Sequence, residues 1–105
     1  MTDDIGLDFD KIVREEARLI ILKALAEQIN ESLSSSMLEP VLARFAIHQE
    51  RPWIHGEVEY LRNMGAVTVL PAGSVKIVTL TALGKRHVDR HVAIEGVKRP
   101  SRPGA

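Results

Sequence analysis

Pro52-Trp53-Ile54-His55-Gly56-Glu57-Val58-Glu59-Tyr60-Leu61-Arg62-Asn63-Met64-Gly65-Ala66-Val67-Thr68-Val69-Leu70 changes its period halfway along. Ile54, Val58 and Leu61 recur at helical spacing, with Trp53, Tyr60 and Met64 on one flank of the same stripe. Pro52 suits the first position of a helix, and Gly65 suits the left-handed residue just past its end. Beyond Gly65 the β-branched run Val67-Thr68-Val69 reads as a strand. The stretch therefore predicts a helix over 51–64 feeding directly into a sheet. At about 100° per residue, Arg51, His55, Glu59, Arg62 and Asn63 project from the face opposite the apolar stripe.

Reading outward from this stretch, Ser36-Met37-Leu38-Glu39 fits a capping box, and Leu38, Val41, Leu42 and Phe45 follow helical spacing behind it. The polar interruption His48-Gln49-Glu50 separates this helix from the next. Further upstream, residues 8–28 contain no Gly or Pro and predict one long helix, in which Leu19 to Ala26 is apolar almost all round. Residues 30–35 read as a polar loop. Downstream, Val67–Leu70 and Val75–Leu80 flank the turn signal Pro71-Ala72-Gly73-Ser74, the pattern of a β-hairpin. Thr81 is placed to cap a last helix running to about Glu95. The predicted order is α-α-α-β-β-α, an α+β, mostly α fold. Two helices joined by a short turn and followed by a two-stranded ribbon make a winged helix-turn-helix.

The length of 105 residues allows one core, and 45% hydrophobic residues with no cysteine mean that packing alone must hold it. Three segments are expected: an acidic N-terminal arm over 1–7, the winged domain over 8–95, and a basic, Pro-rich disordered tail over 96–105. Net charge is zero, but residues 1–16 hold six acids against two bases, and residues 85–105 the reverse. Such asymmetry fits a basic arm that meets nucleic acid, and equally two solubilising ends that touch each other. The apolar run Leu19–Leu22 is far short of the roughly 20 residues a membrane span requires, and the acidic Met1-Thr2-Asp3-Asp4 is unlike a secretory signal. A cytoplasmic protein with no membrane partner is expected.

Leu61-Arg62-Asn63-Met64-Gly65-Ala66-Val67 resembles the recognition-helix exit of bacterial winged-helix repressors and sensors, and Leu80-Thr81-Ala82-Leu83-Gly84 resembles the exit of their wing. Glu16-Ala17-Arg18-Leu19-Ile20-Ile21-Leu22-Lys23-Ala24-Leu25, together with Ile94-Glu95-Gly96-Val97-Lys98-Arg99-Pro100, resembles a family of small proteins carried by Mu-like phages and prophages. These resemblances imply a winged-helix fold, a phage setting in a bacterial host and, from the repressors, homodimers on duplex DNA. They imply no catalytic residue.

Arg51, His55, Glu59, Arg62 and Asn63 on the third helix, Lys76 at the wing, and Lys85 and Arg86 on the last helix are the expected DNA contacts. Arginine and asparagine match guanine and adenine edges, and a carboxylate can accept from cytosine. Glu57 and Glu59 are expected to offset the positive charge of the helix. Leu19, Ile20, Leu22 and Ile29 are the expected dimer interface, because the first helix is apolar on more sides than one small core covers. His87, His91 and Glu95 fall four apart and would share one helical face; no metal site is expected there, since further ligands are lacking. The sequence contains no phosphate-binding loop, nucleophile elbow or paired carboxylates beside a histidine, so neither enzyme chemistry nor a cofactor is expected. The leading expectation is a phage DNA-binding protein, a dimeric transcriptional regulator or accessory factor. Its rival is a winged-helix adaptor for another phage protein, in assembly or DNA packaging.

Overall fold

The computed structural model describes residues 2–102, with side chains placed from residue 8. The long apolar helix α1 (Thr2–Ala26) is followed by β1 (Ser32–Ser34), α2 (Ser35–Ala43), α3 (Arg51–Asn63), β2 (Val67–Ala72), β3 (Val75–Leu80) and α4 (Ala82–Val88). The sheet is antiparallel in the order β1-β3-β2, with Val78 opposite Leu33 on one side and Val69 on the other. The result is α+β and winged-helix-like, with four helices packed around a small sheet that ends in a hairpin.

Helix α1 touches α2, α3, α4, β1 and β3, which explains its all-round hydrophobicity. Ile21, Leu22 and Leu25 are fully buried, alongside Leu38 and Leu42 from α2, Ile54, Val58 and Leu61 from α3, and Val78 from β3. The surface that suggested a dimer is thus consumed within one chain. Of the four expected interface residues, Leu19, Ile20 and Leu22 are core, and only Ile29 remains exposed.

Local chemistry departs from the expectations at five places. Residues 32–34 of the expected loop form β1, because the edge of β3 offers Thr79, Val78 and Ile77 as pairing partners. The Ser36/Glu39 capping box does not form: the N-cap lies two residues earlier, at Ser34, and Glu39 turns to Arg51. The hairpin turn is two residues, not four, since Ala72 pairs with Val75; Gly73 has φ 63, and a positive φ at the first central residue alone marks a type II′ turn. The last helix stops at Val88, because Arg90 turns left-handed (φ 64) and brings Ile94 and Val97 back into the core. At the other end, the segment expected as an acidic arm is already helical from Thr2.

The expected disordered tail also needs correction. Residues 96–100 are clasped against α1, α3 and α4, while 103–105 lie outside the described residues. His87, fully buried, accepts the Ile94 N–H at Nδ1 (3.1 Å) and donates from Nε2 to the Lys98 carbonyl (2.9 Å). The Lys98 N–H donates to the Glu15 carbonyl, Lys98 Nζ meets Glu16 at 2.8 Å, and Pro100 is buried. Backbone groups supply much of the anchoring, beside the buried side chains of Val97 and Pro100. Deleting 98–105 removes the acceptor of a buried histidine, which costs about 1–3 kcal/mol, together with the burial of Pro100. The expected loss is roughly 10 °C or more in Tm by calorimetry, at 4–8 °C per kcal/mol for a domain of this size.

Candidate nucleic-acid interface

Helix α3 buries Ile54, Val58 and Leu61 and is closed at its C-terminus by Gly65, whose φ is 80. Pro52, Gly56, Arg62 and Asn63 are exposed along its outer side, while Arg51, His55 and Glu59 are half-buried against α2 and the hairpin. Five of the eight expected contacts form one polar seam between α3 and the wing. Arg51 meets Glu39 at 3.1 Å and reaches Ser74 Oγ, at the hairpin tip, at 3.5 Å. Glu59 sits between Arg62 (2.7 Å) and Lys76 (2.8 Å). Asn63 is exposed at the C-terminal end of the helix.

His55 completes the seam from below. Its Nε2 is 2.8 Å from the hydroxyl of Ser35, a fully buried side chain that also accepts the Lys76 N–H at 3.0 Å. Burial first, then the charges of Lys76 and Arg51, hold His55 below the ordinary histidine value of 6.5. It is therefore neutral at pH 7 and adds no positive charge. The hydrogen bonds from Lys76 and then Arg62 hold Glu59 below the usual carboxylate range, so it stays charged. Three cations thus stand against two carboxylates, Glu39 and Glu59, and the face is only slightly positive.

Lys85 and Arg86 are not part of this seam. They lie on α4, which packs on α1, and Lys85 approaches Asp89 at 3.7 Å. His87, His91 and Glu95 share no face, since the helix ends before His91; the first is buried and the other two are exposed. Glu57, expected to neutralise the outer face, is instead 2% exposed and turned inward.

Inward, Glu57 accepts from Arg14 at 2.5 Å and from Arg18 at 2.8 Å. The Arg18 guanidinium lies 3.7 Å from the centroid of the Tyr60 ring and donates to the Gly96 carbonyl, and the Tyr60 hydroxyl donates to the Glu95 carbonyl. Arg14 lies over Trp53. Sequence reasoning missed this network. Two signals were available: Glu57 falls three after Ile54 and four before Leu61, inside the apolar stripe, and Arg14 and Arg18 are one helical turn apart.

Fold and seam define a small winged-helix-like protein whose third helix and hairpin share a polar edge. No family model matches the chain. It is 33% identical over 94 residues to the "Uncharacterized protein gp26" of Escherichia phage Mu, an alignment covering 90% of this chain and 96% of that protein. The chain belongs to the family of that Mu phage protein. No helix among the described residues is long and apolar enough to cross a membrane.

The depressed His55 value carries a pH dependence. The unfolded chain binds a proton near 6.5, where folded His55 does not, so stability falls as pH drops below that value. Melting curves between pH 7.5 and 5 are expected to show a decline that His55→Asn flattens. The corresponding loss from Glu59 comes later, below its ordinary value of 4.5, and the two windows separate. A His55→Asn profile parallel to that of the wild type would refute the assignment.

Proposed function

We propose that the protein is a phage DNA-binding protein without catalytic chemistry, acting in the bacterial cytoplasm as a regulator or accessory factor on duplex DNA. The observation that carries this reading is the seam itself. Arg51, Arg62 and Lys76 are held in place by Glu39 and Glu59 along the edge where helix and hairpin meet. Guanidinium groups fixed in this way meet phosphate or guanine with little further ordering. Gly56 supports the reading, because nothing lies within 4 Å of where its Cβ would be. Folding has no need of a glycine there, and a glycine inside a helix costs roughly 0.5–1 kcal/mol relative to alanine. A bare strip of helix lets another backbone come close.

The small positive charge of the outer face sets the strength of binding. If Arg51, Arg62 and Lys76 each meet one phosphate, log affinity falls against log salt with a slope of roughly −3 per bound chain. Anisotropy titration of labelled phage DNA duplexes at low salt is the test. Arg62→Ala is expected to cost about 1–3 kcal/mol on a preferred site if it reads guanine, or to weaken all duplexes alike if it meets phosphate. Gly56→Ala is expected to raise Tm while weakening binding. If no duplex binds more tightly than about 10⁻⁴ M, the reading falls and the adaptor for another phage protein replaces it.

A further inference from the structure

The seam is close to neutral, yet the end of the chain carries positive charge that nothing offsets. Residues 85–102 hold six cations against Asp89 and Glu95. Asp89 is taken by Lys85 at 3.7 Å, and Lys98 is spent on Glu16 of α1 at 2.8 Å. Arg86, Arg90, Arg99 and Arg102 make no ion pair among the described residues. Glu95 is exposed at the other end of the clasped segment, where its carbonyl meets Tyr60, and Glu15, whose carbonyl holds the Lys98 N–H, is half-buried on α1. The fold gathers the arginines. His87, in the last turn of α4, holds the Lys98 carbonyl, and Arg90, just past that turn, donates to the Pro100 carbonyl. Arg99 therefore stands between two gripped carbonyls with its own side chain exposed, next to the turn of α4 that exposes Arg86. Arg99 and Arg102 each precede a proline, which confines their backbones to extended conformations.

We infer that Arg86, Arg99 and Arg102, displayed around the end of α4, form a second nucleic-acid surface, one that takes the phosphate backbone of a duplex without reading its sequence. All three groups are guanidiniums, which are weakly hydrated and match phosphate in a bidentate fork. The backbone that carries Arg99 is fixed by folding, so little further ordering attends the contact. The apolar residues of the same segment, Ile94, Val97 and Pro100, are buried, which leaves no apolar anchor here for a bilayer or a protein partner. Arg86 also suits the C-terminus of a helix, but that accounts for one cation of the three. The two surfaces differ in kind: the seam aligns cations that carboxylates offset, whereas this one bears open charge and draws phosphates from a distance. It rests on α4 and its clasped segment, and it stands whether or not the seam binds DNA.

The test uses the full chain, because truncation would loosen the clasp, and it spares Arg90, which holds Pro100. Arg51→Gln with Arg62→Gln and Lys76→Gln disables the seam. In anisotropy titrations at low salt this variant is expected to keep binding labelled duplexes, unrelated sequences alike, with log affinity falling against log salt at a slope of about −3 from three phosphates, a share that adds to that of the seam. Arg86→Gln with Arg99→Gln in the otherwise wild-type chain is expected to weaken binding at least about fivefold and to make the slope shallower by about 2, with an unchanged far-UV spectrum. Lys85→Gln with Lys98→Gln removes the same charge from lysines already paired, and is expected to leave the slope as it was. A seam variant that binds no duplex overturns the inference, as does an arginine variant that binds like the wild type; both results leave the seam reading standing. Equal losses from the arginine and lysine variants overturn it too, since net charge alone would then be at work, and so does tighter retention by phosphatidylglycerol vesicles than by duplex. Loss confined to the arginine variant, with the seam variant unaffected, supports this surface and refutes the seam.

Discussion

One carboxylate, that of Glu57, holds the molecule's three parts in register. It is buried on α3 and satisfied by Arg14 and Arg18 of α1, and Arg18 in turn reaches the chain after α4 through the Gly96 carbonyl. A buried charge is tolerable only when it is paired and fully hydrogen-bonded, and among the described residues no buried polar side-chain atom lacks a partner. Removing one member would leave charge in a dry place, so the network specifies how helix, helix and tail must sit. The aromatic rings of Trp53 and Tyr60 lie against Arg14 and Arg18.

The same helix carries two opposite electrostatic designs. On its inner side, Glu57 is enclosed and rigid. On its outer side, Glu59 and Glu39 hold arginine and lysine at the surface, where such pairs contribute little to stability. Their effect is on geometry and net charge: the cations are aligned along the wing, and the field they project is small. A partner with many phosphates gains little by long-range attraction to this face and more by close fit, a distinction that follows from the neutral total charge.

Much of the fold was legible because it rests on period and punctuation. The α3 stripe, Gly65, the paired β-branched runs and the cap at Thr81 all appear where their chemistry indicated, and the Thr81 side chain does accept the Gly84 N–H. The elements that were misread depend on tertiary pairing. Ser32–Ser34 has no strand character of its own and becomes a strand only because the edge of β3 is open to it. The tail looked unanchored because the hydrogen bonds to its carbonyls leave no trace in the sequence, and they hold Val97 and Pro100 where these can bury. In the candidate interface, the outward positions of α3 followed from helical geometry. That each cation would have a carboxylate partner did not, since Arg51–Glu39 and Lys76–Glu59 join residues from different elements. For Lys85 and Arg86, proximity in sequence to the wing was mistaken for proximity in space.

The clasp on the C-terminal segment reads main-chain atoms. Arg18 holds the Gly96 carbonyl, Tyr60 the Glu95 carbonyl, and His87 the Lys98 carbonyl. What it recognises is the path of the chain, so the side chain at 95 is free to change without loosening the grip. The exception is Gly96, at φ 79, where a Cβ would collide with the Tyr60 hydroxyl. The fold therefore lets the exposed positions of this segment, such as 95 and 99, drift in charge through a lineage, while buried Ile94, Val97 and Pro100 and the bare Gly96 keep the architecture intact.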